Sequence, residues 1–134
     1  MAKKSLLKKT AQFKDGLAVR RKVLGAKYTD ASVAAGETDP FMADLQQFVT
    51  EYCWGTVWCR KGLNHKTRSM LNLAMLATLG RTHELALHVR GALNNGVTKD
   101  EIKEVFLHAG VYAGVPAAVE AFRVARQVFA DDKR

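Results

Sequence analysis

The chain has 134 residues, of which 48% are hydrophobic and two are proline, a composition typical of one folded domain rather than of a disordered chain. No apolar run approaches the roughly 18–20 residues of a membrane-spanning helix, and the basic start lacks the apolar segment of a secretory signal. We therefore expect a cytoplasmic protein with no membrane contact. Cys53 and Cys59 are spaced neither as a redox pair nor as zinc ligands, and we expect two free thiols.

The net charge of +8 is concentrated at the start of the chain. Residues 1–14 contain five lysines and no acid, and without those five the net charge falls from +8 to +3. We therefore divide the chain into a basic N-terminal tail, residues 1–14, and a helical domain, residues 15–134. Such a tail is typically solvated or loosely helical, and we expect no nucleic-acid partner.

The first half of the chain contains two predicted helices. The first spans about residues 8–24 and ends at Gly25, and residues 26–39 have the composition of a connector. Asp39 and Pro40 then form an N-cap and a first helical residue. The apolar positions of this second helix, before its end at Gly55, are Phe41, Leu45, Phe48, Val49 and Tyr52. Residues 54–64 read as an aromatic and basic loop.

Four further helices are predicted in the second half. The first, residues 65–79, is capped by Asn64, and its later part is apolar nearly all round, as in the centre of a bundle. The next begins near Thr82 and ends near residue 95. Thr98 and Glu101 form a capping box that opens a third helix, and residues 114–116 separate it from the last. No strand pattern is present, so the predicted fold is an all-α bundle of five to six helices.

The helix near residue 82 carries a stripe of chemically active side chains. Arg81, Glu84, His88 and Gly91 stand at i, i+3, i+7 and i+10 and therefore share one face. An acid, a base and a cation beside a glycine are suited to a small pocket for an anionic ligand. A lone histidine in a helix is also often purely structural.

From residue 15 to residue 129 the sequence resembles the carboxymuconolactone decarboxylase family, within the alkylhydroperoxidase-like superfamily. In the peroxidase branch the stripe helix carries two cysteines and a histidine, and these positions fall on Arg81, Glu84 and His88. The missing thiols favour the decarboxylase branch. The segments that carry the resemblance are residues 17–21, 23–25, 49–55, 66–76, 83–85, 88–92, 94–98 and 112–118.

The resemblance implies decarboxylation of 4-carboxymuconolactone, a small anionic lactone, to the 3-oxoadipate enol-lactone in protocatechuate breakdown. The substrate is its own electron sink, so neither a metal nor an organic cofactor is expected. The resemblance also implies a homo-oligomer, a trimer or a hexamer, with sites near subunit interfaces. Three alternatives remain. The chain is a related decarboxylase that acts on another lactone or a keto acid, a helical binding or assembly subunit without catalysis, or a peroxidase.

The implied site uses six residues. His88 delivers the proton, and Glu84 fixes its tautomer or shares the transfer. Arg81 and Arg68 are candidates to hold the substrate carboxylates, because a guanidinium matches a carboxylate bidentately. Trp54 and Tyr112 are candidate apolar walls. Each assignment has an alternative. Glu84 is equally consistent with a solvated neighbour of His88, and Arg68 with a residue of an ion pair. The two aromatic residues are also consistent with core or subunit contacts.

Overall fold

A computed structural model describes residues 3–134, which contain seven α-helices, one π-helix and no strand. The chain forms two compact units, Met1–Leu63 and Asn64–Arg134. Helices in the first are α1 (Ala11–Leu24), α2 (Ala26–Thr38), α3 (Pro40–Phe48) and a π-helix (Val49–Trp58); in the second they are α4 (His65–Leu79), α5 (Thr82–Asn94), α6 (Lys99–Ala113) and α7 (Val115–Asp131). The all-α prediction is confirmed. None of the helices over residues 3–134 is both long enough and apolar enough to cross a bilayer.

The predicted connector, residues 26–39, is instead almost entirely helical, because residues 26–38 form α2. The buried face of α2 consists of Thr29, Val33 and Gly36, at i, i+4 and i+7. Only one of these is a large apolar residue, so the segment has almost no visible hydrophobic period. Its alanines have high intrinsic helix propensity, and packing of the buried face of small residues further stabilises the helix.

The second predicted helix begins at Pro40, as expected, but it does not end at Gly55. At Val49 the backbone changes to a π-helix that continues to Trp58, so the predicted loop starts several residues too early. The buried residues of this segment are Ala43, Gln46, Thr50, Trp54 and Trp58. The predicted apolar stripe is largely exposed instead, with Phe41 at 87%, Leu45 at 50%, Phe48 at 60% and Tyr52 at 56%.

The π-helix lies directly against α1 at two glycines. A Cβ atom on Gly16 would lie 2.1 Å from the carbonyl oxygen of Thr50 and 2.6 Å from the amide nitrogen of Gly55. A Cβ atom on Gly55 would lie 2.5 Å from the carbonyl oxygen of Gln12. Both contacts are to backbone, so only glycine allows the two helices to approach this closely.

The basic N-terminal tail begins outside the described residues, and its described part is neither loose nor fully solvated. Leu7 is 5% exposed and packs in an apolar cluster with Phe13, Val33 and Ala43. The backbone N–H of Lys8 donates to the side-chain oxygen of Gln47 at 2.8 Å, and the Gln47 amide donates back to the Lys8 carbonyl at 3.0 Å. The lysines remain exposed while the backbone between them is anchored.

The second unit is a four-helix arrangement with its own apolar core. Asn64 caps α4, and Gly80 ends it in a left-handed conformation with φ of 69°, both as predicted. The capping box of Thr98 and Glu101 is present at the start of α6. Only one face of α4 is buried, whereas the sequence predicted burial all round: Leu71, Met75 and Leu79 are 41%, 57% and 69% exposed.

The close approach at Gly16 yields a prediction for stability. Gly16→Ala places a methyl group against backbone atoms that cannot move aside, and we expect a loss of about 1–3 kcal/mol or more in the free energy of unfolding. Chemical denaturation measures it. Gly62→Ala is the matched control, because nothing lies within 4 Å of a Cβ at Gly62. Equal midpoints for the two variants would contradict the packing described here.

Candidate functional site

The antiparallel pair α4–α5 positions the predicted stripe. The side-chain amide of Asn95, just after α5, donates to the Ser69 hydroxyl at 2.9 Å, so the end of α5 lies beside the start of α4. Leu73 on α4 and Leu85 and Val89 on α5 are buried in one apolar cluster. Their burial leaves Glu84 and His88 at the margin of the helix pair, with Glu84 exposed and His88 half-buried.

His88 contacts a polar residue of the neighbouring helix. Nδ2 of Asn72 lies 3.3 Å from Nδ1 of His88. When the Asn72 amide donates this hydrogen bond, Nδ1 is the acceptor and the proton of the neutral imidazole resides on Nε2. The contact therefore couples the tautomer of His88 to the orientation of the Asn72 amide.

Burial changes the charge state of this histidine. Desolvation lowers the pKa of His88 from 6.5 to about 4, and the negative charge of Glu84 offsets only part of that shift. The imidazole is therefore neutral at pH 7 in the unliganded chain. A negatively charged ligand beside the ring would raise this pKa.

The two candidate arginines lie on opposite sides of His88 along the helix pair. Arg68 is half-buried on α4, one turn before Asn72, which corresponds to about 6 Å along the axis. Arg81 is exposed at the N-cap position of α5, seven residues before His88, or about 10 Å. Arg68 is thus the nearer of the two to the Asn72–His88 contact along the helix axes.

The two predicted aromatic walls have different surroundings. Trp54 is 3% exposed in the N-terminal unit, where it stacks on Trp58 with ring centroids 4.8 Å apart. Tyr112 on α6 is 81% exposed, its ring lies against that of His108, and it lines a groove of about 410 Å³ that does not include His88. A role for either residue as a substrate wall stays a prediction.

The cysteines lack the environment of a redox site. Burial raises the pKa of the Cys53 thiol, against a smaller opposing effect of the nearby Arg20 guanidinium. Desolvation and, to a smaller extent, the negative charge of Asp15 raise the pKa of the Cys59 thiol. A peroxidase needs a thiol with a lowered pKa, so these directions disfavour that alternative. Among residues 3–134, no three His, Cys, Asp or Glu side chains are grouped as metal ligands would be.

Asn72 is the site residue that the sequence interpretation missed. It stands four residues after Arg68 in a helix whose other central residues are mostly apolar, so the two polar side chains share one face. That i, i+4 pair was a readable signal, but nothing in one sequence indicates that the face meets His88.

All six predicted site residues lie within the part of the chain that a known protein-family model matches. The model of the carboxymuconolactone decarboxylase family matches residues 43–127. The chain is 46% identical over 120 residues to 4-carboxymuconolactone decarboxylase of Acinetobacter baylyi, covering 90% of this chain and 88% of that protein. It is 44% identical over 119 residues to a nitrosuccinic acid decarboxylase of Metarhizium robertsii, covering 89% and 82%. An uncharacterised 15.0 kDa protein of Paracoccus denitrificans is 34% identical over 84 residues, covering 61% and 63%.

The lowered pKa of His88 predicts a pH-dependent stability. The unfolded chain binds a proton at this histidine below pH 6.5, whereas the folded chain does so only near pH 4. The contribution of His88 to the free energy of unfolding is therefore fully present above pH 6.5 and is lost as the pH falls to 4, by on the order of 3 kcal/mol. Denaturation of wild type and His88→Gln across this range isolates it. His83→Gln, an exposed histidine of the same helix, is the control; parallel curves for wild type and His88→Gln would contradict the assignment.

The contact with Asn72 predicts a tautomer switch. In Asn72→Asp a carboxylate replaces the donor, so we expect the proton to move to Nδ1 and the pKa of His88 to rise. Nitrogen-detected NMR of histidine-labelled protein reports both changes, with the other three histidines as internal references. An unchanged His88 pattern would show that Asn72 does not set the tautomer.

Proposed function

The chain belongs to the carboxymuconolactone decarboxylase family, and we propose that it converts 4-carboxymuconolactone to the 3-oxoadipate enol-lactone, a step of aromatic catabolism, without a cofactor. The observation that carries the proposal is 46% identity to a 4-carboxymuconolactone decarboxylase over 90% of the chain. A match of 120 residues necessarily includes parts of both units.

The substrate provides the electron sink for this reaction. The ring carbon that loses CO2 also bears an acetate arm and is bonded to a C=C bond that is conjugated with the lactone carbonyl. When the C–C bond to the carboxylate breaks, its electron pair enters the ring as a dienolate with charge on the lactone oxygen. One proton added to the carbon beside that carbonyl gives the enol-lactone, so the reaction consumes one proton and releases CO2.

His88 supplies that proton in the proposed mechanism. The imidazole is neutral before the substrate binds, and a dianion beside it raises its pKa, so a proton is taken up on binding. In the imidazolium both ring nitrogens are donors, so the Asn72 side chain must turn its amide oxygen toward Nδ1–H. The ring then donates the proton on Nε2 to carbon and returns to the neutral form. Glu84 supports the cationic form through its charge.

We assign the acetate arm to Arg68 and keep Arg81 as the second candidate. Arg68 is half-buried and shares a helix face with Asn72, so its guanidinium operates at a lower dielectric than an exposed one. The carboxylate that leaves is better placed in apolar surroundings, because it loses its charge as CO2. Trp54 and Tyr112 remain the proposed sources of that surface.

A second candidate substrate is nitrosuccinic acid, which the 44% identity to a nitrosuccinic acid decarboxylase favours. The two substrates share one element: a carbon that bears the departing carboxylate, a CH2–carboxylate arm and an electron-withdrawing group. In nitrosuccinate the nitro group accepts the electron pair. The same anchoring arginine and proton donor therefore serve both reactions.

We also propose that copies of this chain assemble into a homo-oligomer in the cytoplasm. Exposed apolar residues share one face of α3 and the π-helix, and Leu71, Met75 and Leu79 share one face of α4. Such clustering is typical of subunit contacts. Sedimentation of the purified chain tests the assembly, and a monomer at micromolar concentration would contradict it.

The test of the proposed reaction is ultraviolet-monitored turnover of freshly prepared 4-carboxymuconolactone, with CO2 release followed in parallel. We expect stoichiometric CO2 from the wild type and a loss of about 10²–10⁴ in kcat for His88→Gln, the usual range for a general acid. Circular dichroism checks the fold. His83→Gln is the matched control, and His88→Gln activity within about twofold of wild type would remove His88 from the mechanism.

Substrate choice is tested by comparing kcat/KM for 4-carboxymuconolactone and nitrosuccinate. We expect the lactone to be preferred and Arg68→Gln to raise KM for both, because both present the same carboxylate arm. A preference for nitrosuccinate would reverse the order of the two candidate functions. An unchanged KM for both substrates in Arg68→Gln would move the anchoring role to Arg81.

A further inference from the structure

A groove of about 620 Å³ lies between α6 and α7 and does not include His88 or Asn72. It is bounded by the first two turns of α6 and by α7 from Val119 at one end to Phe129 at the other. None of the residues assigned to the decarboxylation site lines it.

The floor of the groove is apolar and partly aromatic. Ile102 and Phe106 are each 1% exposed, and Ala125 is 4% exposed, so the base is a fixed part of the core. Phe122 is 37% exposed and meets Phe106 edge to face, with ring centroids 6.0 Å apart. An aromatic ring inserted here extends an existing aromatic pair and buries apolar area on both sides.

The rim of the groove is cationic. Lys99, Lys103, Arg123 and Arg126 line it, against one acid, Asp100. Asp100 pairs with Lys103 at 3.3 Å, and Arg123 pairs with Glu120. Arg126 is exposed and forms no ion pair within residues 3–134, while Nζ of Lys99 lies 5.0 Å from the centre of the Phe129 ring.

We propose that this groove is a second ligand site and that it binds an aromatic carboxylate. The ring packs on Phe106 and Phe122, and the carboxylate faces Arg126 and Lys99 at the edge. The uncharged floor matches the apolar ring of such a ligand, and the positive rim matches its carboxylate. A second copy packed with the same groove against itself would bring the cationic rims together, which is unfavourable.

Calorimetric titration of the purified chain with 2-naphthoate tests this proposal. The matched ligand is 2-naphthamide, which has the same rings and no charge. We expect the acid to bind about tenfold more tightly than the amide, as a few partly exposed ion pairs provide, and the difference to shrink at high salt. Phe122→Ala should weaken both ligands, whereas Arg126→Gln should weaken only the acid.

Two controls separate this site from the decarboxylation site. Arg90→Gln removes an exposed cation of α5 outside the groove, and His88→Gln disables the proposed catalytic residue; both should leave naphthoate binding unchanged. No binding, equal affinity for acid and amide, or loss of binding in His88→Gln would overturn the proposal. Dissociation of an oligomer by Phe122→Ala in sedimentation would also overturn it, because the groove would then be a subunit contact.

Discussion

The rotation of α4 and α5 about their own axes is the constraint on which the candidate site depends. Leu73 and Val89 are both fully buried in one apolar cluster. Asn72 directly precedes Leu73 and His88 directly precedes Val89, so each polar residue lies about 100° around its helix from a core position. The two therefore meet at the edge of the helix contact. A rotation that exposed the imidazole would also withdraw a core residue, and the apolar packing thereby holds the polar geometry.

The same position explains the electrostatics of the site. At the edge of the core, His88 is sufficiently desolvated to favour its neutral form, yet Glu84 and solvent remain close. A fully exposed histidine would be partly charged at neutral pH without any ligand. A fully buried one would be closed to a substrate. At the edge of the helix pair, His88 is both neutral and accessible, so the charge of a bound anion can change the protonation state of its imidazole.

Most of the helices were predictable because their ends carry strong local signals. Asn64, Gly80, the Thr98–Glu101 capping box and Gly114 act within one turn of the backbone, so a sequence alone reveals them. The segments that were missed depend on distant packing. α2 buries small residues that leave no hydrophobic period, and the π-helix is adjusted to the backbone of α1. For the site, periodicity correctly grouped Glu84 and His88 on α5, whereas Asn72 lies on another helix and required the three-dimensional packing.

The neutral resting state of His88 has a consequence for the thermodynamics of ligand binding. If an anionic ligand binds beside an imidazole that must then acquire a proton, the proton comes from the buffer. The observed enthalpy of association consequently includes the ionisation enthalpy of that buffer, and differs between phosphate and Tris at one pH. The slope of this dependence counts the protons captured for each ligand bound. Recognition and protonation are thus one coupled equilibrium, and the affinity for a dianion falls as the solution becomes more alkaline.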